Sequence, residues 1–366
     1  MPLMRKRRLL IVDDSAVIRR AMKAAFSDEL GLDVVGSASN GRIALMKIPL
    51  LHPDVVVLDI DMPGMEGIQT LAAIRAIDPR LPVIILGVHT LQGTAATLGA
   101  LIHGATDYVM KPDVEVPSDE ALKVVGLELV SKVVASWCPS EVDDRTAQQR
   151  GTLADASRHI AGSPAAGRVD VVAIGISTGG PGALMEIIPS LPADFPVPIL
   201  IVQHMPPVFT KLLADRLKAT SQIDVAEGAP LQAVAPGKAL IAPGDLHMEV
   251  RRDGEAIRIV THQDPPENSC RPAVDVLFRS VANVYGPHAL AVVMTGMGRD
   301  GLRGCEHIRT AGGQILVQDE ASSVVWGMPG FVARAGLADQ ILPLSRLTDE
   351  IIARVSRHRR TVGAVA

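Results

Sequence analysis

Short apolar runs recur along the chain, with segments of helical spacing between them. In the first third the runs are Leu9 to Val12, Asp54 to Leu58, Pro82 to Leu86 and Tyr108 to Met110. Beyond residue 168 they are Val169 to Ile174, Val197 to Val202, Ala289 to Met294 and Gln314 to Val317. Each is short and reads as a buried strand. Between them, Ser15 opens a helix whose apolar stripe is Ile18, Ala21, Met22, Ala25 and Phe26, and Ala183, Leu184, Ile187 and Ile188 mark another. Helices are also expected over Thr210 to Leu217 and Val274 to Val284. Strands alternating with helices predict an α/β fold built on doubly wound parallel sheets with right-handed crossovers. One stretch departs from this pattern. His247 to Arg252 and Glu255 to Val260 alternate around Asp253-Gly254, which predicts an antiparallel hairpin with a two-residue turn.

The two series of strands are separated. Asp119 to Trp137 reads as an amphipathic helix closing the first series, whereas Pro139 to Gly167 lacks periodicity and is rich in Ala, Ser, Gly, Asp and Arg, the composition of a tether. We therefore expect one domain over 5–124, a linker over 125–167 and a second domain over 168–356. A length of 366 residues agrees with two cores. The net charge of −4 and the absence of a basic stripe interleaved with aromatics argue against a nucleic-acid partner. Three cysteines, Cys138, Cys270 and Cys305, lack metal-ligand spacing and suggest free thiols in a reducing compartment. Arg5 to Arg8 precede only four apolar residues before Asp13, too few for a signal peptide, and no run is long enough to span a bilayer. The expectation is a cytoplasmic protein without direct membrane insertion.

Reactive side chains follow the strands. Val169 to Ile174 leads into Gly175-Ile176-Ser177-Thr178-Gly179-Gly180, a Gly-x-Ser-x-Gly turn of the nucleophile-elbow type. A serine needs a base and an orienting acid. His204 follows the second strand of this series and Asp300 the third, and the carboxyl ends of parallel strands share one rim, so Ser177, His204 and Asp300 converge. Phosphate binding by the Gly175 loop is the competing reading. Pro181 stands where a P-loop needs Lys, and Ser177 where a dinucleotide fingerprint needs Gly. In the first series Asp13, Asp14 and Asp59 follow neighbouring strands. Their mutual repulsion calls for a hard divalent cation such as Mg²⁺ and for the positive charge of Lys111.

These motifs carry a family resemblance. Val12-Asp13-Asp14-Ser15, Leu58-Asp59-Ile60-Asp61-Met62-Pro63-Gly64-Met65-Glu66-Gly67 and Tyr108-Val109-Met110-Lys111-Pro112 resemble the receiver domain of two-component response regulators. That resemblance implies phosphorylation of Asp59 by a histidine kinase, Mg²⁺ held at Asp13, Asp14 and Asp59, contact of Lys111 with the phosphoryl group, Tyr108 as the rotating aromatic of the switch, and a cis Lys111-Pro112 bond. One position departs. Receivers usually carry Ser or Thr at the end of the fourth strand, and here Gly87 follows Leu86, with Thr90 the nearest hydroxyl in sequence.

The second domain is similar to the protein-glutamate methylesterases of bacterial chemotaxis, through Ile174 to Gly180, Val202-Gln203-His204-Met205-Pro206-Pro207, Ile241 to Met248, Val274-Asp275-Val276-Leu277-Phe278, Thr295 to Gly301 and Val317 to Ser322. Asn268-Ser269-Cys270-Arg271-Pro272 differs in its middle from the family's usual basic run. The resemblance covers the whole chain. It implies a flavodoxin-like receiver and a Rossmann-like methylesterase domain joined by a linker. It also implies Ser177 as nucleophile, His204 as general base and acid, Asp300 as orienting carboxylate, an oxyanion site near Met297, and Thr178 lining the site. The implied substrates are glutamyl γ-methyl esters on methyl-accepting chemotaxis receptors, with deamidation of receptor glutamines by the same chemistry. The implied phosphodonor is a chemotaxis histidine kinase, and no cofactor is needed for the esterase step. The alternatives are a phosphorylation-dependent adaptor with a weak or inactive esterase domain, a DNA-binding response regulator, and a nucleotide-binding enzyme. The second requires a short basic output domain that the α/β pattern does not offer.

Overall fold

Strand pairing in the computed structural model, which describes residues 6–26, 32–62, 67–88, 90–111, 119–135 and 167–357, sets which strand ends become neighbours. The chain divides into two compact units, Met1–Trp137 and Cys138–Ala366. The first alternates β1 (Arg7–Val12), α1 (Ala16–Ala25), β2 (Leu32–Ala38), α2 (Gly41–Leu51), β3 (Val55–Asp59), α3 (Gly67–Ile77), β4 (Val83–Gly87), α4 (Leu91–Ile102), β5 (Asp107–Met110) and α5 (Asp119–Ala135). Its sheet is ordered β2-β1-β3-β4-β5, every pair parallel. This is the flavodoxin-like order, in which the chain reverses direction across the sheet between β1 and β3, and ligands gather at the strand ends beside that reversal.

Local chemistry explains several boundaries. Ser15 caps α1 by accepting from Ile18 N, and Asn40 caps α2 by accepting from Ile43 N. Leu9, Ile11, Val55, Val57, Ile84 and Leu86 form the inner face of the sheet, and α1 and its C-cap cover it with Met22 and Phe26. α5 closes the same core with Leu129 and Val133. The helix expected over Asp119 to Trp137 is thus one continuous element within the described residues. Its packing places Leu129 and Val133, which lie beyond the boundary expected at 124, in the core of the first unit. The tether expected over 139–167 lies, apart from Gly167, outside the described residues, as do the Lys111-Pro112 bond and Cys138.

The second unit contains β6 (Val171–Ile176), α6 (Gly180–Ile187), β7 (Ile199–Gln203), α7 (Phe209–Thr220), β8 (Asp224–Glu227), β9 (Lys238–Ile241), β10 (His247–Asp253), β11 (Ala256–His262), α8 (Val274–Tyr285) and β12 (Ala289–Val293). It continues through α9 (Leu302–Thr310), β13 (Gln314–Gln318), α10 (Met328–Arg334), β14 (Gln340–Leu342) and α11 (Leu344–Ser356). Seven parallel strands run in the order β14-β13-β12-β6-β7-β9-β8. The chain therefore winds outward from β6 through β7 and returns to the other side of β6 with β12. β10 and β11 form the separate antiparallel pair. Its turn is shifted from the expectation by one residue: Asp253 still pairs with Ala256, so Gly254, at φ +59°, and Glu255 make the bend. Gly254 supplies the left-handed angle at no steric cost, and Asp253 remains in the strand, accepting from Arg258 Nε at 2.8 Å. The core around Ala173, Val202, Leu240, Phe278, Val293 and Val317 is buried against α8, α9 and α10. Among the described residues no helix is long and apolar enough to cross a membrane.

Candidate functional site

β6 leads into Ser177, β7 into His204, and β12 into the loop that ends at Asp300. Because β6 lies between β12 and β7, the serine stands between the strand ends that carry the other two residues. The backbone fixes this arrangement. Ser177 N donates to Thr295 O at 3.0 Å, His204 N to Ile176 O at 3.2 Å, and Met294 N to Gly175 O at 2.9 Å. Gln203, buried at the end of β7, donates through Nε2 to Ser177 O at 3.0 Å. The turn differs from a strained elbow, since the left-handed angle falls on Gly179 (φ +78°) and Ser177 is not among the residues with positive φ. Gly296 permits the close approach of the β12 loop. A Cβ there would lie 2.8 Å from Ser177 Cβ and 2.5 Å from Met328 Sδ.

Asp300 is 2% exposed and faces His204 Nε2 at 2.8 Å through Oδ2. The carboxylate also accepts from Val274 N at 2.6 Å, Asp275 N at 3.0 Å, Gly301 N at 3.0 Å and Asn268 Nδ2 at 2.9 Å. Two of these donors are free amides of the first turn of α8, where a helix favours negative charge. Burial alone raises the Asp300 pKa, but the His204 hydrogen bond, the ring's charge and the amides outweigh it, leaving the group below its ordinary value. Burial likewise opposes a charge on His204. Its bond to Asp300, with a smaller contribution from Cys270, overcomes that and raises the ring above the ordinary 6.5.

With Nε2 turned to Asp300, Nδ1 is the nitrogen left for chemistry. Cys270 Sγ lies 3.7 Å from it, and a cleft of about 430 Å³ lined by His204, Pro206, Asp245, Cys270 and Arg271 opens on this side. No hydrogen bond joins the Ser177 hydroxyl to the ring among the described residues. Asn268 bridges two carboxylates, donating also to Asp275 Oδ2 at 2.8 Å. Asp275, whose pKa is raised by burial and by the charge of Asp300, accepts in addition from Gly304 N at 2.7 Å.

In the first unit Asp13 and Asp59 are buried, and Lys111 Nζ bridges them at 2.9 and 2.7 Å, reaching Oδ2 of each. Asp13 Oδ1 accepts from Ser15 N at 2.8 Å, and Asp59 Oδ1 from Asp61 N at 3.1 Å. Burial raises the Asp59 pKa, Lys111 lowers it, and Asp13 raises it further, so the net direction is upward. One lysine does not fully compensate two buried carboxylates. Oxygens of Asp13, exposed Asp14 and Asp59 lie within 4.8 Å of one another. An all-oxygen, net-negative donor set of that size fits a hard divalent cation such as Mg²⁺. Tyr108, on β5, lies beneath Lys132, whose Nζ is 4.7 Å from the ring centroid and within 3.2 Å of Asp107 Oδ1.

Comparison with known proteins decides the family. The CheB methylesterase family profile matches residues 172–351, and that of the response regulator receiver domain matches residues 9–117. A protein-glutamate methylesterase/protein-glutamine glutaminase of Trichodesmium erythraeum is 48% identical over 352 residues, 96% of this chain and 100% of that protein. The chain belongs to the CheB methylesterase family. A CheB relative of the same description from Nocardioides sp. is 44% identical, with 96% of each chain covered. The crystal structure of the Thermotoga maritima CheB methylesterase catalytic domain aligns with a TM-score of 0.50 and 41% identity, covering 50% of this chain and 97% of that one. CheB methylesterases are carboxylic ester hydrolases.

Within this CheB chain the structure brings His204 and Asp300 into contact and sets Ser177 on the adjoining strand end. Met297 is 41% exposed, so filling the core is not its role. The Thr178 carbonyl accepts from Thr295 Oγ1 at 2.9 Å, which ties the serine turn to the β12 loop. Thr90 is committed elsewhere, since its Oγ1 caps α4 by accepting from Gly93 N at 3.0 Å. The bracing of Asp300 by Asn268 and the neighbouring carboxylate of Asp275 were not anticipated from the sequence. The available signal was an acidic residue in the otherwise apolar run Val274 to Phe278.

Proposed function

We propose that the chain is a phosphorylation-regulated protein-glutamate methylesterase that hydrolyses glutamyl γ-methyl esters on methyl-accepting chemotaxis receptors, releases methanol, and deamidates receptor glutamines at the same site. The observation that carries this reading is the 2.8 Å contact of His204 with a buried, amide-bound Asp300, at the strand end next to Ser177. Ser177 Oγ attacks the ester carbonyl while His204 Nδ1 takes its proton. The negative oxygen that develops is received by backbone N–H groups near Met297, and each such donor is worth about 10²–10³ in rate. The protonated ring then passes its proton to the departing methoxide. Water, deprotonated by the same nitrogen, releases the glutamate from Ser177. Asp300 holds the ring and stabilises its charged form without itself becoming protonated.

The receiver over 5–124, with α5 continuing from it, takes a phosphoryl group from a chemotaxis histidine kinase at Asp59. Asp13, Asp14 and Asp59 would hold the Mg²⁺, which supplies charge neutralisation for the phosphoryl oxygens. Lys111 contributes the remaining positive charge, and Tyr108 reports the change of state. The segment between α5 and residue 168, shorter than the linker expected over 125–167, joins this domain to the methylesterase domain over 168–356. The esterase reaction itself needs no cofactor, and the protein works in the cytoplasm.

A fluorophosphonate probe tests the nucleophile. Labelling that peptide mapping places on Ser177, and that His204→Ala slows strongly, supports the reading. Labelling elsewhere, or at an unchanged rate in His204→Ala, removes the triad from the account.

A further inference from the structure

We propose that Thr97, in the middle of α4, supplies the hydroxyl that binds the phosphoryl group on Asp59, an inference that rests on the receiver reading above. β4 ends beside the acceptor. Leu86 is the register partner of Asp59, and Ile60 N donates to Leu86 O at 3.3 Å. The next residue, Gly87, has no side chain to offer, and its carbonyl accepts from Lys111 N at 2.8 Å. From there Lys111 reaches Asp59 Oδ2 at 2.7 Å.

The place where a Gly87 side chain would start is already filled. Thr97 Oγ1 lies 2.6 Å from the ideal Cβ position, with Met110 Sδ at 2.9 Å. Thr97 is 0% exposed, and among the described residues its hydroxyl has no hydrogen-bond partner. A threonine inside a helix ordinarily bonds the carbonyl one turn back. Thr94 does so, donating to Thr90 O at 2.9 Å, and Thr90 itself caps the helix. A buried hydroxyl without a partner is costly, and a partner that arrives in a second state removes that cost. A phosphoryl group brings three strong acceptor oxygens. Lys111 meets one face of it, and the Thr97 hydroxyl meets another. Because Thr97 sits within α4, forming this bond draws the helix toward the end of β4. The signal thus leaves through α4 without a hydroxyl on the strand.

Beryllium trifluoride with Mg²⁺, a stable stand-in for the phosphoryl group, is titrated onto the full chain and followed by the ¹⁹F resonance of the bound anion. Wild type binds and Asp59→Asn does not. Thr97→Ser binds within about twofold of wild type, whereas Thr97→Val, and independently Thr97→Ala, bind about tenfold more weakly or worse, as loss of a hydrogen bond to a charged group requires. Thr97→Val without the anion keeps or raises its thermal midpoint, because it removes an unpaired polar atom; a purely structural role predicts the opposite. Wild-type affinity in both Thr97→Val and Thr97→Ala overturns the inference alone. Absence of any Asp59-dependent resonance from wild type overturns the receiver reading on which it rests.

Discussion

Replacing Asp300 with Asn removes one charge from a carboxylate that accepts five hydrogen bonds, from His204, Val274, Asp275, Gly301 and Asn268. Oδ2 serves the first two donors and Oδ1 the other three. An amide has one acceptor oxygen, so either orientation turns an NH₂ group toward at least two donors and leaves them unpaired. At about 1–3 kcal/mol for each buried unsatisfied group, the loss is roughly 2–6 kcal/mol, read as a fall in thermal midpoint of roughly 2–4 °C per kcal/mol. The same substitution removes the main cause of the raised His204 pKa. Only the neutral ring accepts the serine proton, so kcat/KM rises with pH through the His204 pKa, and in wild type that limb lies above 6.5. In Asp300→Asn the limb moves down by about 1–3 units, the usual effect of losing an adjacent opposite charge. The plateau falls by on the order of 10³–10⁴, because the ring loses its orientation. Stability follows the same linkage. The His204 contribution is fully present below the unfolded pKa of the ring and is lost as pH rises through the raised folded value; that of Asp300 is present above its unfolded pKa and is lost as pH falls through the lowered one. Methanol release and thermal midpoint are measured across pH on both proteins. An acid limb that stays where it is in wild type, or a plateau within about tenfold of wild type, refutes this role for Asp300.

Gly296→Ala pushes a methyl group into Ser177 Cβ and Met328 Sδ; esterase activity drops by at least about 10²-fold, since small misplacements of a nucleophile are that costly, and unchanged turnover would mean that the loop relaxes freely. Asp13→Asn takes a carboxylate from the acidic cluster, and the Mg²⁺ concentration needed for phosphoryl uptake from a small phosphodonor rises by about tenfold or more; an unchanged requirement places the metal elsewhere. Phe278→Ala empties a fully buried position in the core behind the site and costs about 3–5 kcal/mol, seen as a lower urea midpoint for the second unit; a loss below about 1 kcal/mol would show that the core collapses into the space.

The alternation of strands and helices was legible because buried parallel strands read as unbroken apolar runs, and because Ser177, His204, Asp13 and Asp59 stand at the end of one, with Asp300 in the loop that follows another. Strand order was not. Nothing in the local sequence says that β12 returns to the far side of β6, yet that return sets Asp300 against His204. β2, β8, β9 and β14 were not singled out. Gly36 and Ser37 interrupt the apolar character of β2, β8 and β9 are four residues long each, and β14 is three. The hairpin turn was misplaced by one residue because Asp253-Gly254 has a turn composition, and only the pairing of Asp253 with Ala256 shows which two residues bend. Tertiary contacts supplied the rest. Asn268 reaches Asp300 from the segment before α8, and Thr97 fills the space at Gly87 from a helix ten residues further on, so neither pairing leaves a periodic trace.

The central claim is that a Ser177 esterase is gated by phosphorylation of Asp59. Methanol release from methylated receptor membranes, with Mg²⁺ and with or without a small phosphodonor, tests it in wild type, Ser177→Ala and Asp59→Asn. The account predicts release that Ser177→Ala abolishes, and stimulation by the donor in wild type that Asp59→Asn lacks. Release that survives Ser177→Ala, or no release from cognate receptors under any condition, would contradict it.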